Sequence, residues 1–119
     1  MQPQSSDLFA RPTKAALLAV LMKHIGKAKG VSAAGLVNEL GMHPASGLRV
    51  IRELVTELRE EGVAVCGHPA SGYFIAETRD ELEETCAFLR SRAMHSLVLE
   101  AKLRGMPLAD LVGQLHLPT

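Results

Sequence analysis

Residues 36–62 read LVNELGMHPASGLRVIRELVTELREEG, and this stretch decides the fold. Two apolar segments with helical spacing flank Gly41, a residue that takes a left-handed backbone without steric cost. Leu36, Val37 and Leu40 line the first segment, and Leu48, Ile51, Leu54, Val55 and Leu58 line the second. Met42 follows the glycine as an apolar residue directed back at the core. Pro44 suits the opening turn of a helix, where its missing N–H is not needed. The spacing predicts a second helix from about Pro44 or Ser46 to Glu61, with Gly47 as a weak point inside it and Gly62 as its stop.

Upstream, Thr13 is placed to cap a first helix, and Leu18, Leu21, Met22 and Ile25 form one apolar stripe that ends at Gly26. Lys27-Ala28-Lys29-Gly30 reads as a turn, and Ser32 caps the helix that begins the quoted stretch. Residues 1–12 are polar with two prolines and read as a flexible arm. Downstream the period changes from about 3.6 to 2. Val63 and Val65 alternate with Ala64, Tyr73 and Ile75 alternate with Phe74, and the segment from Gly67 to Gly72 between them has turn chemistry, which predicts a hairpin.

Thr78-Arg79-Asp80-Glu81 is a capping box. The helix it opens meets no breaker before Gly105, giving about 25 residues and roughly 38 Å at the standard rise. Leu82, Cys86, Leu89, Ala93 and Leu97 nearly trace one stripe along it, with Glu100 out of place at the end. Pro107 opens a last short helix bearing Leu108, Leu111, Val112 and Leu115. The fold class expected is mainly α with a small β-hairpin, organised as an arm (1–12), a compact domain (13–77) and a C-terminal helical region (78–119).

The composition suits this. Hydrophobic residues make up 47% and aromatic ones 3%, so the core must be mainly aliphatic, which favours helices over a β-sandwich. Thirteen basic residues balance thirteen acidic ones. The balance is uneven: residues 1–62 hold eight Lys/Arg against six Asp/Glu, and residues 63–119 hold five against seven. That skew permits phosphate binding without demanding it. Two cysteines, Cys66 and Cys86, are expected to be free thiols, with Cys86 as a small core residue. No leader-like or membrane-spanning run is visible, and the expected location is the cytoplasm.

Leu36, Leu40-Gly41-Met42, Arg49, Ile51, Leu54, Leu58, Arg59-Glu60-Glu61-Gly62-Val63 and the later Gly72-Tyr73-Phe74-Ile75 together resemble a winged helix-turn-helix domain of the biotin-repressor-like kind. The wider stretch is similar to small winged-helix proteins of phages and prophages, in which a capped helix follows the wing. The segment after Gly41 is about four residues longer than the commonest pattern, roughly one helical turn, so the buried face is kept. The resemblance implies double-stranded DNA as partner and a role as a small transcriptional regulator. It places the first half of the second helix of the pair in the major groove.

With Ile51 facing the core, Ser46, Arg49, Glu53, Thr56 and Glu60 fall on the opposite side and Arg52 and Arg59 on one flank. Arg49 and Arg52 suit the acceptors of guanine. Ser46 suits a phosphate or base, and Glu53 suits a cytosine amine or simply pairs with Arg49. The competing reading is a solvated face with intrahelical pairs of about 0.2–0.5 kcal/mol each. Lys23, Lys27 and Lys29 could bind flanking phosphates, or merely complement the C-terminal dipole of the first helix. His68 falls at the wing and could touch DNA, though a turn role explains it too.

Cys66, His68, Cys86 and His95 match no zinc-ligand spacing, no catalytic motif is present, and no cofactor is expected. Asp80, Glu81, Glu83 and Glu84 read as a solvated face at a helix start. The long helix and the Leu108–Leu115 stripe leave apolar surface that a homodimer would cover, or that a folded-back last helix would cover within one chain. The neutral charge and uncharged wing also fit a second function: a protein-docking or replication/packaging accessory module on the same scaffold.

Overall fold

A computed structural model describes residues 11–115 of the chain. It is mainly helical, with one two-stranded antiparallel hairpin among the described residues. The elements are α1 (Lys14–Leu21), a 3₁₀ turn (Lys27–Lys29), α2 (Ala33–Glu39), α3 (Pro44–Glu60), β1 (Val65–His68), β2 (Gly72–Ile75), α4 (Arg79–Arg104) and α5 (Leu108–Gln114). Contacts divide the chain after Glu83, within the first turns of α4. Of the expected arm, residues 1–10 lie outside the described residues.

The helix ends follow the sequence signals. The Thr13 hydroxyl accepts from Ala16 N at 3.1 Å to start α1, and Ser32 Oγ accepts from Gly35 N at 2.9 Å to start α2. α3 starts with Pro44 and is capped by His43, whose Nδ1 accepts from Ala45 N at 3.0 Å. Helices α2, α3 and α4 all end alike. Gly41, Gly62 and Gly105 have positive φ, and the next residue (Met42, Val63 or Met106) donates its N–H back to the carbonyl of Val37, Leu58 or Ala101.

The core of the first unit gathers Leu17, Leu21, Leu36, Val37, Met42, Ile51, Leu54, Val55, Leu58 and Val65. Fully burying one such side chain contributes about 1.5–3 kcal/mol, against about 0–1 kcal/mol for an exposed ion pair, so packing fixes this unit. Two expected core faces are corrected. In α1 the fully buried residues are Leu17 and Leu21; Leu18 is half-buried, and Met22 and Ile25 are exposed because the helix ends at Leu21. In α3 Leu48 is 45% exposed and Gly47 takes the buried place. A Cβ at Gly47 would lie 2.7 Å from a Val37 methyl, so the weak point in the helix is where α2 packs too close for a side chain.

The hairpin pairs Val65 with Ile75 and Cys66 with Phe74. Val65, Tyr73 and Ile75 pack on the main core. Cys66 and Phe74, on the opposite face, are buried as well, with Cys66 Sγ 3.7 Å from the Glu81 carbonyl at the start of α4. Neither cysteine is in a disulfide, but the buried thiol is Cys66; Cys86 is exposed, contrary to its expected core role.

β2 also pairs on its other edge. Tyr73 N donates to Val31 O at 2.7 Å and Val31 N donates to Tyr73 O at 2.9 Å, while Ile75 N donates to His24 O and Gly26 N to Ile75 O. The link between α1 and α2 is thereby tied to the hairpin at both ends of the 3₁₀ turn. The approach is close enough that a Cβ on Gly72, already at φ +79°, would overlap the Val31 carbonyl. Gly62, at φ +86°, faces open space. In urea denaturation Gly62→Ala should cost only the roughly 1–2 kcal/mol of a left-handed backbone, and Gly72→Ala should cost clearly more. Equal losses would mean that β2 does not need this approach.

Candidate nucleic-acid interface

The outer surface of α3 is divided by charge. Glu53, Glu57 and Glu61 follow each other at four-residue spacing at its C-terminal end, a like-charge row that is unfavourable by itself. The row is neutralised from the α1 side. Arg11 reaches Glu53 Oε2 at 3.2 Å and Glu57 Oε2 at 3.4 Å, and Lys14 Nζ lies 2.7 Å from Glu61 Oε1. The hydrogen bond and charge of Glu61 raise the Lys14 ammonium above its ordinary pKa. Arg11, expected in a flexible arm, is therefore held on α3; the unpaired acidic row was the sequence signal for it.

The other flank faces the hairpin. Arg59 is turned toward β1, where its Nε donates to Val65 O at 2.8 Å, so it serves the fold. Arg52, two helical turns earlier and on the same side, is exposed and forms no ion pair among the described residues. Arg49 has a side chain 74% exposed and lies 3.8 Å from Glu53, a loose contact that a phosphate or base could displace. Ser46 is exposed in the first turn of α3. Thr56 folds its hydroxyl back to Arg52 O at 3.0 Å, and Glu60 is exposed.

The lysines sit apart from α3 in sequence but beside the hairpin in space. A Cβ on Gly30 would overlap the Ser71 carbonyl, so the end of the lysine turn abuts the hairpin turn. Lys23 and Lys29 are exposed without ion pairs among the described residues, and Lys27 is half-buried. His24 Nδ1–H donates to Lys29 O at 2.8 Å, and its Nε2 is 3.3 Å from Glu39 on α2, which fixes the turn from inside. His68 is half-buried and its Nδ1 accepts from Ala70 N at 3.1 Å, which shapes the hairpin turn.

Glu81 anchors the same turn from the far side. Its hydroxyl-capped N–H bonds Thr78 Oγ1 at 3.2 Å, as the capping box requires. The backbone N–H of the cap residue Thr78 also bonds its carboxylate, more weakly than two others do. The carboxylate accepts from Glu77 N at 2.8 Å and from Lys27 N at 3.0 Å, and it is half-buried rather than part of a solvated acidic face. The backbone N–H groups of Glu77 and then Lys27 hold this carboxyl below its ordinary pKa.

No protein-family model, no curated protein and no solved structure matches this chain. The site therefore rests on its own geometry. Among the described residues no helix is long and apolar enough to cross a membrane.

Because the Glu81 pKa is lowered on folding, its contribution is complete above the ordinary carboxylate range and is lost as the pH falls through its folded value. Glu81→Gln should therefore be less stable than the parent near neutral pH, and the gap should close under acid. A gap constant with pH would contradict the carboxylate's role. 

Proposed function

We propose that the protein binds double-stranded DNA through the N-terminal half of α3, as a small sequence-specific transcriptional regulator with a winged helix-turn-helix. The observation that carries this is the charge division of α3. Its acidic row is neutralised by Arg11 and Lys14, which leaves Arg52 without an ion pair among the described residues and Arg49 only loosely held. The arrangement of α2, the Gly41 turn, α3 and a hairpin paired back to Val31 supports the same reading, since such domains present the first turns of the second helix to the major groove. In that role Arg49 and Arg52 read base acceptors, Ser46 and Glu53 complete the contact, and Lys23, Lys27 and Lys29 meet phosphates beside the hairpin turn.

A second reading has an observation of its own. Ala34, Val37, Asn38, Met42, Pro44 and Leu48 line a concave apolar surface between α2 and α3, enclosing about 270 Å³. An apolar groove there suits a partner helix better than a phosphate backbone. This is the protein-docking alternative.

Fluorescence anisotropy with a labelled duplex separates the two. DNA binding requires retention that falls steeply between about 50 mM and 200 mM salt. Arg52→Ala should weaken it by about 1–3 kcal/mol, and Lys29→Ala should weaken all sequences alike while lowering the salt slope by about one. No binding at the lower salt, or binding indifferent to Arg52, would leave the docking reading.

A further inference from the structure

Helix α4 has an unusual middle: every residue from Cys86 to Ser96 is exposed, including Phe88, Leu89 and Met94. Within and just before this run, Leu82, Cys86, Leu89 and Ala93 share one narrow side of the helix. Their spacing is four, three, four, which reads the same in both directions. Leu82 and Leu89 are exposed at 37% and 44%, and small residues lie between and beyond them.

The charges along α4 are also polarised. Residues 79–85 carry four acids (Asp80, Glu81, Glu83, Glu84) against Arg79, and residues 86–104 carry four bases (Arg90, Arg92, Lys102, Arg104) against Glu100. The first segment has net charge −3 and the second +3. A parallel copy would bring like segments together. An antiparallel copy brings the acidic start of one helix to the basic stretch of the other.

We propose that α4 is an interface for a second copy of this chain, with the two helices antiparallel about a two-fold axis midway between Cys86 and Leu89. This register places Leu82 opposite the second copy's Ala93 and Cys86 opposite its Leu89, which closes the stripe on itself as an isologous contact must. Glu83 and Arg90 lie on the same flank of the stripe. A two-fold axis brings equivalent flanks together, so Glu83 meets the second copy's Arg90 twice. The Glu83 carboxylate is available, since its contact to Arg79 is 3.9 Å between side chains 89% and 65% exposed. The small Cys86 and Ala93 let the two axes approach within the usual 8–10 Å.

Sedimentation velocity of the full-length chain over a concentration series should show a monomer–dimer equilibrium. Leu89→Glu should shift it to monomer with unchanged far-UV circular dichroism. Glu83→Arg or Arg90→Glu should each weaken the dimer several-fold, and the double exchange should restore it. The register is read with Cys86→Ala as background. Chains carrying Leu82→Cys and chains carrying Ala93→Cys should form a disulfide-linked heterodimer when mixed under oxidation. Neither should link to itself, because equal positions stand roughly 16 Å apart at 1.5 Å per residue. A monomer at all concentrations, a dimer indifferent to Leu89→Glu, or self-linked Leu82→Cys chains would each overturn the proposal. None of these readings depends on DNA binding.

Discussion

The first unit depends on one strand having two partners. β2 bonds to β1 along one edge and to the link between α1 and α2 along the other, through Val31 and His24. A two-stranded hairpin alone is marginal in water. Here its inner face lies on the aliphatic core, its outer face buries Cys66 and Phe74, and its second edge is occupied. The glycines at 30 and 72 follow from this, because a side chain at either would push the backbones apart. The lysine turn follows too: it is the connection that must pass along β2, so its position beside the hairpin turn is a product of strand pairing.

Around that frame the charged residues have separate duties. Arg59 and Glu81 bond backbone groups and belong to the fold, and Arg11 and Lys14 neutralise the acidic row of α3. On α3 and the link between α1 and α2, Arg49, Arg52, Lys23 and Lys29 stay exposed. A chain of zero formal charge can thus keep cations exposed, because its acids are largely spent on partners within the fold or gathered at the start of α4. Local and not net charge decides whether a duplex is attracted at contact distance, given a screening length of about 8–10 Å in ordinary salt.

Much of this was legible in the sequence where a single residue type has a single physical use. Thr13, Ser32, Pro44, Gly41, Gly62 and Gly105 set helix boundaries through hydrogen bonds and backbone angles that depend on nearest neighbours alone. The faces of short helices were harder. Met22 and Ile25 continue the helical period of Leu18 and Leu21, yet the α-helix stops at Leu21, so the period had nothing to act on beyond it. Leu48 reads as core by spacing, but Gly47 lets α2 come so close that the adjacent leucine is turned out into the groove. Of the candidate contacts, Ser46, Arg49 and Glu53, which read as opposite Ile51, and Arg52, which reads as on its flank, are all exposed. The acidic row of α3 signals a need for cations but not which ones: the pairs made by Arg11, Lys14 and Glu81 join residues 42 to 54 positions apart and depend on the tertiary arrangement.

In the proposed role one ligand, a duplex, meets α3 and the lysine turn together. Amide chemical shifts of the labelled protein, followed by NMR as an unlabelled duplex is added at low salt, test it residue by residue. The amides from Ser46 to Glu53 and those of Lys27 to Val31 and Ser71 to Gly72 should shift along one binding curve. Shifts confined to the residues lining the groove from Ala34 to Leu48, or none at all, would contradict it.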